Sequence, residues 1–251
     1  MQTVRVIPTL LLKNEGLVKT IKFKNPKYVG DPRNAVKIFN EKEVDELVFL
    51  DITASIIGKG PNFQMIEEIA SECFMPLGYG GGINDMDSIK KLFSIGIEKV
   101  SLNTALHSNS ELLKNASDQY GSQSIIASID VKKNLFGKYE VYTKGGSINT
   151  KKDPIKFAVE MQNLGAGEIF LTSIDLDGTM KGYDLNLISS ITSAIDIPLI
   201  ACGGAGNLSH IKDAVTIAGA SAVAAGSLFI YHGKHNAVLI NYPKPEDLKF
   251  T

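Results

Sequence analysis

Short apolar runs rich in β-branched residues alternate along the whole chain with longer stretches whose apolar positions recur at helical spacing. The runs predict strands at Val4–Leu12, Glu46–Ile52, Met75–Gly80, Lys99–Leu102, Ser124–Val131, Glu168–Thr172, Pro198–Cys202 and Ala222–Ala225. Helical patterns fill the gaps at Asn34–Glu43, Asn62–Ser71, Asp85–Ile95, Ser108–Gln119, Asp153–Leu164, Leu185–Ala194 and Leu208–Ala218. Ile66, Ile69 and Ala70 share one helical face, as do Ile89, Leu92 and Phe93. Regular strand-then-helix alternation demands parallel crossovers, and eight such units predict a single (β/α)8 TIM barrel over residues 1–251. Two long segments, Lys13–Arg33 and Lys133–Lys152, read as loops. Both follow a strand, so both are expected on the C-terminal face, where barrels of this kind build their active sites. The tail Val238–Thr251, with Pro243-Lys244-Pro245, reads as packing or fraying rather than chemistry.

The same local message occurs twice. Phe49-Leu50-Asp51-Ile52-Thr53 is followed by Gly80-Gly81-Gly82-Ile83 and then by Ser101-Leu102-Asn103-Thr104. Ser173-Ile174-Asp175-Leu176-Asp177-Gly178-Thr179 is followed by Gly203-Gly204-Ala205-Gly206 and then by Ala224-Ala225-Gly226-Ser227. The repeat divides the chain into half-barrels of approximately 1–121 and 122–251. Glycine at a strand end lets backbone amides approach a phosphate that a Cβ would exclude. Gly82 with Asn103 and Thr104, and Gly204 with Ser227, therefore suggest a small molecule phosphorylated at both ends. Tight turns alone are the competing explanation of the glycines.

Composition narrows the partners. With 26 basic and 27 acidic residues the net charge is −1, which calls for neither nucleic acid nor an anionic membrane. No apolar run reaches the length of a membrane span and no leader pattern opens the chain, so a cytoplasmic protein is expected. Cys73 and Cys202, far apart in apolar settings, read as reduced thiols, with a disulfide as the alternative.

Chemistry has few candidates. Asp130 ends the fifth strand, where a carboxylate points into the barrel mouth and suits acid/base work; an ion pair with Lys132 or another lysine is the alternative. Asp51 and Asp177 also close strands, and Asp177-Gly178 reads as shaping a loop and binding substrate hydroxyls or phosphate. Lys19 could close over an anion, or be a solvated loop charge. His232 and His235 have a metal-pair spacing with no acid or thiol cluster beside them, so neither metal nor cofactor is expected. His107 and His210 belong to no nucleophile pattern. At the opposite end, Arg5, Glu46, Lys99 and Glu168 start strands one, two, four and six, and would form an ion-pair ring across the barrel floor.

Together, DELVFLDITAS, GGGI, KVSLNT, GSQS, LGAGEI, TSIDLDGT, KGYD and GGAG resemble the cyclase subunit of imidazole glycerol phosphate synthase, the HisF family, essentially from Arg5 to the eighth strand. The resemblance implies a barrel docked through its floor to a HisH-like glutaminase, whose ammonia passes a gate formed by Arg5, Glu46, Lys99 and Glu168. It implies phosphate contacts at Gly82, Asn103, Thr104, Asp177, Gly178, Gly204 and Ser227, and catalysis by Asp130. One position departs. The family carries a second catalytic aspartate at the end of strand one, where this chain has Leu11 in Thr9-Leu10-Leu11-Leu12-Lys13-Asn14-Glu15. Losing one positioned acid/base group costs about 10²–10⁴ in rate.

A narrower resemblance fits that departure. Arg5–Asn14, Phe23–Pro32, Leu135–Tyr139 and Val238–Pro243 are similar to HisF-like proteins of surface-polysaccharide synthesis. There the barrel works with a glutaminase and an ATP-dependent sugar amidotransferase to turn an N-acetyl group of a nucleotide sugar into an acetamidino group. The implied role is ammonia conduit and scaffold. Two other readings stand: an orthodox cyclase in which Asp130 suffices or Glu15 substitutes for the lost acid, and a silent phosphosugar-binding module that regulates its glutaminase.

Overall fold

A computed structural model describes residues 2–250; Met1 and Thr251, the ends of the single-barrel expectation, lie outside the described residues. Eight parallel strands are present: β1 Arg5–Lys13, β2 Leu47–Asp51, β3 Leu77–Gly80, β4 Lys99–Leu102, β5 Ile125–Lys133, β6 Glu168–Ser173, β7 Leu199–Cys202 and β8 Ala222–Ala225. Each pairs with the next in sequence, and β8 pairs with β1 through Ala222–Arg5. The sheet therefore closes on itself as a (β/α)8 barrel, as the alternating pattern predicts. No helix among the described residues is long and apolar enough to cross a membrane.

Seven helices of eight or more residues lie between the strands: α1 Pro32–Glu41, α2 Phe63–Ser71, α3 Met86–Ser94, α4 Glu111–Tyr120, α5 Pro154–Asn163, α6 Leu185–Thr192 and α7 Leu208–Thr216. All but α4 start on an Asp or Asn whose side chain accepts from the first free amides. α1 begins two residues before the predicted Asn34 because Asp31 caps it and Pro32 presets its first turn.

Strand side chains alternate between two compartments. Val6, Leu10, Phe49, Val100, Ile129 and Leu171 face the helices in the larger core. Ile7, Val48, Ile126, Phe170, Ile200, Ala222 and Ala224 fill the barrel interior as a separate apolar plug. Residues of the same parity lie beyond each end of this plug, among them Arg5 and Glu168 at the floor and Asp130 and Thr172 at the mouth.

The two segments expected to be loops are instead sheet. Gly16–Ile21 runs antiparallel to the end of β1 (Leu11–Val18, Lys13–Gly16) and Lys24–Gly30 pairs with it in turn. Tyr139–Thr143 returns along β5 (Asp130–Tyr142, Lys133–Tyr139), and Ile148–Asn149 adds to its edge. β1 and β5 are nine residues long and outrun their neighbours, leaving backbone groups that only a returning strand satisfies. The turns use left-handed residues, among them Asn14 (φ 55°), Lys22 (φ 54°), Lys144 (φ 49°) and Gly145 (φ 61°). The tail packs, as expected: Tyr242 donates to the carbonyl of Val6 at 2.8 Å, and Leu248 is buried.

Candidate functional site

A cavity of about 330 Å³ opens at the mouth, within the range of small-molecule sites. Its lining includes Asp130, Leu11 and Lys19, the corner Gly82, Asn103 and Thr104, and the corner Asp177, Gly178, Gly204 and Ser227. The residues singled out at the C-terminal face thus share one chamber.

Asp130 is 9% exposed and makes no ion pair with Lys132, whose ammonium lies 5.8 Å from the Tyr142 ring centroid. Asn103 Nδ2 donates to Asp130 Oδ2 at 3.1 Å and to the carbonyl of Ser128 at 3.1 Å. Burial pushes the Asp130 carboxyl up to about 7, against the opposing hydrogen bonds of Asn103 and Thr172. A carboxyl so placed exchanges its proton near neutrality. Thr172 was missed in the sequence, although its alternation with inward-facing Phe170 and Glu168 marks it.

At the end of β1 the chamber gains no second carboxylate. Leu11 lines the chamber one register step across from Leu50, so that wall is apolar. Glu15 does not compensate: it is exposed at the hairpin turn and lines a separate surface depression with Arg33 and Glu68. Asp177 is already committed. Its Oδ2 accepts from Thr20 Oγ1 at 2.9 Å and from the Phe23 amide at 3.2 Å, while its carbonyl accepts from Lys22. Burial raises the Asp177 carboxyl, and the Lys19 charge opposes that shift.

Lys19 is 7% exposed, not a solvated loop charge. The hairpin after β1 carries it inward, where Nζ donates to the carbonyl of Thr9 at 3.2 Å. Burial lowers its pKa, with the Asp177 carboxylate acting the other way. Its ammonium occupies the space against Gly226, where an added Cβ would fall 1.8 Å from Nζ. Glycine at that position seats the one lysine buried among the described residues beside the second glycine corner.

The corners themselves are turn and chamber wall at once. Gly81 (φ 123°) and Gly82 (φ 71°) press on Asp51 and on the Lys59 carbonyl, which a Cβ would meet at 2.5 and 2.6 Å. The Gly82 amide donates to Ser55 Oγ at 3.2 Å. Asp51 is a local brace, accepting from Thr53 and the Ala54 amide at the short helix Ala54–Ile57. Thr104 Oγ1 accepts from Thr143 Oγ1 at 2.9 Å, which ties β4 to the second hairpin. Ser227, buried, opens the short helix Ser227–Ile230 after β8.

At the floor, Arg5, Glu46, Lys99 and Glu168 meet as a closed ring. Glu46 Oε2 accepts from Arg5 at 3.0 Å and from Lys99 at 3.1 Å; Glu168 accepts from Lys99 at 3.0 Å and from Arg5. Glu46 Oε1 is buried with no hydrogen-bond partner. The remaining candidates lie elsewhere. His210 Nδ1 accepts from the Gly206 amide at 3.1 Å, His107 stacks on Phe157, and His232 and His235 lie at the exposed turn after β8. No cluster of three or more His, Cys, Asp or Glu among the described residues is arranged to hold a metal. Cys73 and Cys202 are free thiols, and Cys202 lines the mouth chamber.

Residues 5–236 match the family model described as histidine biosynthesis protein. A Pseudomonas aeruginosa protein, provisionally named imidazole glycerol phosphate synthase subunit hisF2, is 53% identical over 95% of both chains. One from Vibrio vulnificus, provisionally named subunit hisF3, is 50% identical over 98% of this chain and 95% of its own. One from Leptospira borgpetersenii, provisionally named subunit HisF, is 50% identical over 97% and 96%.

Proposed function

We propose that this chain, which belongs to the histidine biosynthesis protein family as a HisF-type barrel, serves as an ammonia conduit rather than a ring-closing enzyme. In this reading a glutaminase docks at the floor and ammonia passes the Arg5–Glu46–Lys99–Glu168 ring. A separate ATP-dependent sugar amidotransferase then uses it to convert an N-acetyl group of a nucleotide sugar into an acetamidino group. The observation that carries the reading is Leu11: the mouth chamber holds a tuned Asp130 facing an apolar wall, with Asp177 occupied and Glu15 outside. Ring closure that relies on two positioned acid/base groups loses one of them here. The floor fits passage of a small neutral base. Its charges cancel in pairs, and the unpartnered Glu46 Oε1 is an acceptor that an N–H donor the size of ammonia satisfies.

The intact glycine corners favour a second role for the same chamber, binding a phosphosugar that signals to the glutaminase. The sugar-modifying reading rests on the narrower sequence resemblance together with Leu11.

The deciding experiment is ammonium-driven turnover of the phosphorylated cyclase precursor by the purified chain beside a Leu11→Asp variant. The native chain is expected to be silent, and the variant to gain turnover of about 10²-fold or more over that background. Native turnover matching ordinary cyclases would return the chain to histidine synthesis and end the conduit reading.

A further inference from the structure

The chain's charge is nearly balanced overall but not in space. Of its 26 basic residues, eleven are lysines within residues 13–30 and 132–152, ten of them besides the buried Lys19, and those stretches contain two acids, Glu15 and Glu140. They are the two hairpins grown from β1 and β5, both standing on the mouth face. With 27 acids in the chain, the rest of the molecule is correspondingly acidic. A basic rim on an acidic body orients an approaching partner by its field before contact.

The second hairpin also ends in an apolar tip. Leu135 and Phe136 are 101% and 94% exposed, the highest values among the large hydrophobic residues. The tip is ordered, not slack. Asn134 Oδ1 accepts from the amides of Phe136 and Lys138 at 2.9 and 3.1 Å, and the Asn134 amide donates to the Lys138 carbonyl at 2.9 Å. Gly137 supplies the left-handed corner (φ 77°). Ile21, Tyr28, Ile56 and Ile57, on the other segments around the mouth, are exposed as well. Apolar anchors held rigid and ringed by charge have the make-up of a protein-binding hot spot rather than of a small-molecule site.

We propose that this rim is the docking surface for the ammonia acceptor: an enzyme with an acidic collar and an apolar socket for Leu135 and Phe136. The proposal rests on the conduit reading, because a barrel that uses its own ammonia needs no cap. Ammonia that leaves the mouth into neutral water is protonated and lost as a nucleophile, so the acceptor must seal the chamber. A second copy of this chain fits poorly mouth to mouth, since two basic rims repel.

The test uses the full barrel with its glutaminase and the ATP-dependent sugar amidotransferase. Two variants, Leu135→Glu/Phe136→Glu and Lys138→Glu/Lys144→Glu, alter exposed tip and rim positions outside the chamber wall. Sedimentation velocity of barrel and amidotransferase is expected to show a complex weakened at least about tenfold by either variant. The native complex is expected to weaken with added salt. Binding of the glutaminase is expected to be unchanged. Glutamine-driven acetamidino formation should fall with the complex, while ammonium-driven formation by the amidotransferase holds. Unchanged acceptor binding in both variants would overturn the docking site, as would loss of barrel self-association alone. Glutamine-driven formation persisting in the variants would leave the conduit standing and remove the docking surface. Cyclase turnover by the native barrel would instead remove the conduit.

Discussion

At the residue scale, Asp130 concentrates the chemistry left in the mouth. Its carboxyl titrates at about 7 inside the fold because burial penalises the charged form, whereas an unfolded aspartate titrates near the ordinary 3.9 or so. Between those values the folded chain holds a proton that the unfolded chain has released, so stability falls as pH rises through that window and levels above it. A gap of about three units corresponds to at most about 4 kcal/mol. Asp130→Asn keeps an acceptor for Asn103 and removes the titration. Urea unfolding should therefore find the variant equal to or below the native chain near pH 4 and more stable than it at pH 8. An unchanged native-minus-variant difference across that range would mean that Asp130 is ionised in the fold. Leu11 makes the complementary point: it takes no charge at any pH, and no neighbouring side chain restores what it lacks.

At the element scale, the hairpin after β1 decides where Lys19 resides, and Asp177 decides where the hairpin resides. Asp177→Ala would delete the bonds to Thr20 Oγ1 and the Phe23 amide. Hydrogen bonds to a charged acceptor contribute roughly 1.5–3 kcal/mol each. Amide exchange over Gly16–Gly30 should accelerate by about tenfold or more, with β2 to β8 unaffected; uniform acceleration would indicate global destabilisation instead. This hairpin also marks where sequence reading stopped. The seven helices are legible because burial on one face writes a period into the residues, and the eight strands because burial on both faces makes short apolar runs. The two hairpins are not, because their strands sit over the mouth with lysines on them and turn through left-handed Asn14, Lys22 and Phe23. Hence Lys19 looks like a loop charge in sequence and is a buried group in the fold. The glycine corners were legible as turns with donors, but that Thr104 holds the second hairpin and Asp51 braces a short helix depends on contacts with no sequence period.

At the scale of the whole molecule, the floor ring gathers Arg5, Glu46, Lys99 and Glu168 from four widely separated segments of the chain. Its neutrality depends on all four members. Lys99→Met would leave the Arg5 cation to serve two buried carboxylates. Breaking a buried pair by removing one partner costs about 3–5 kcal/mol. The unfolding midpoint of this variant should drop by roughly 10 °C. Because the sheet closes through both the β4–β5 and β8–β1 seams, near-UV and far-UV circular dichroism should lose signal in one coincident transition. The same variant separates a brace from a passage. If the ring only holds the floor together, glutamine-driven and ammonium-driven acetamidino formation should decline in parallel with the folded fraction. If it is the entry for ammonia, an apolar Met among unbalanced carboxylates traps or repels the base. Glutamine-driven formation should then fall by about tenfold at a temperature where the variant is fully folded, while ammonium supplied directly to the amidotransferase restores the rate. Parallel loss under those conditions would assign the ring to stability alone.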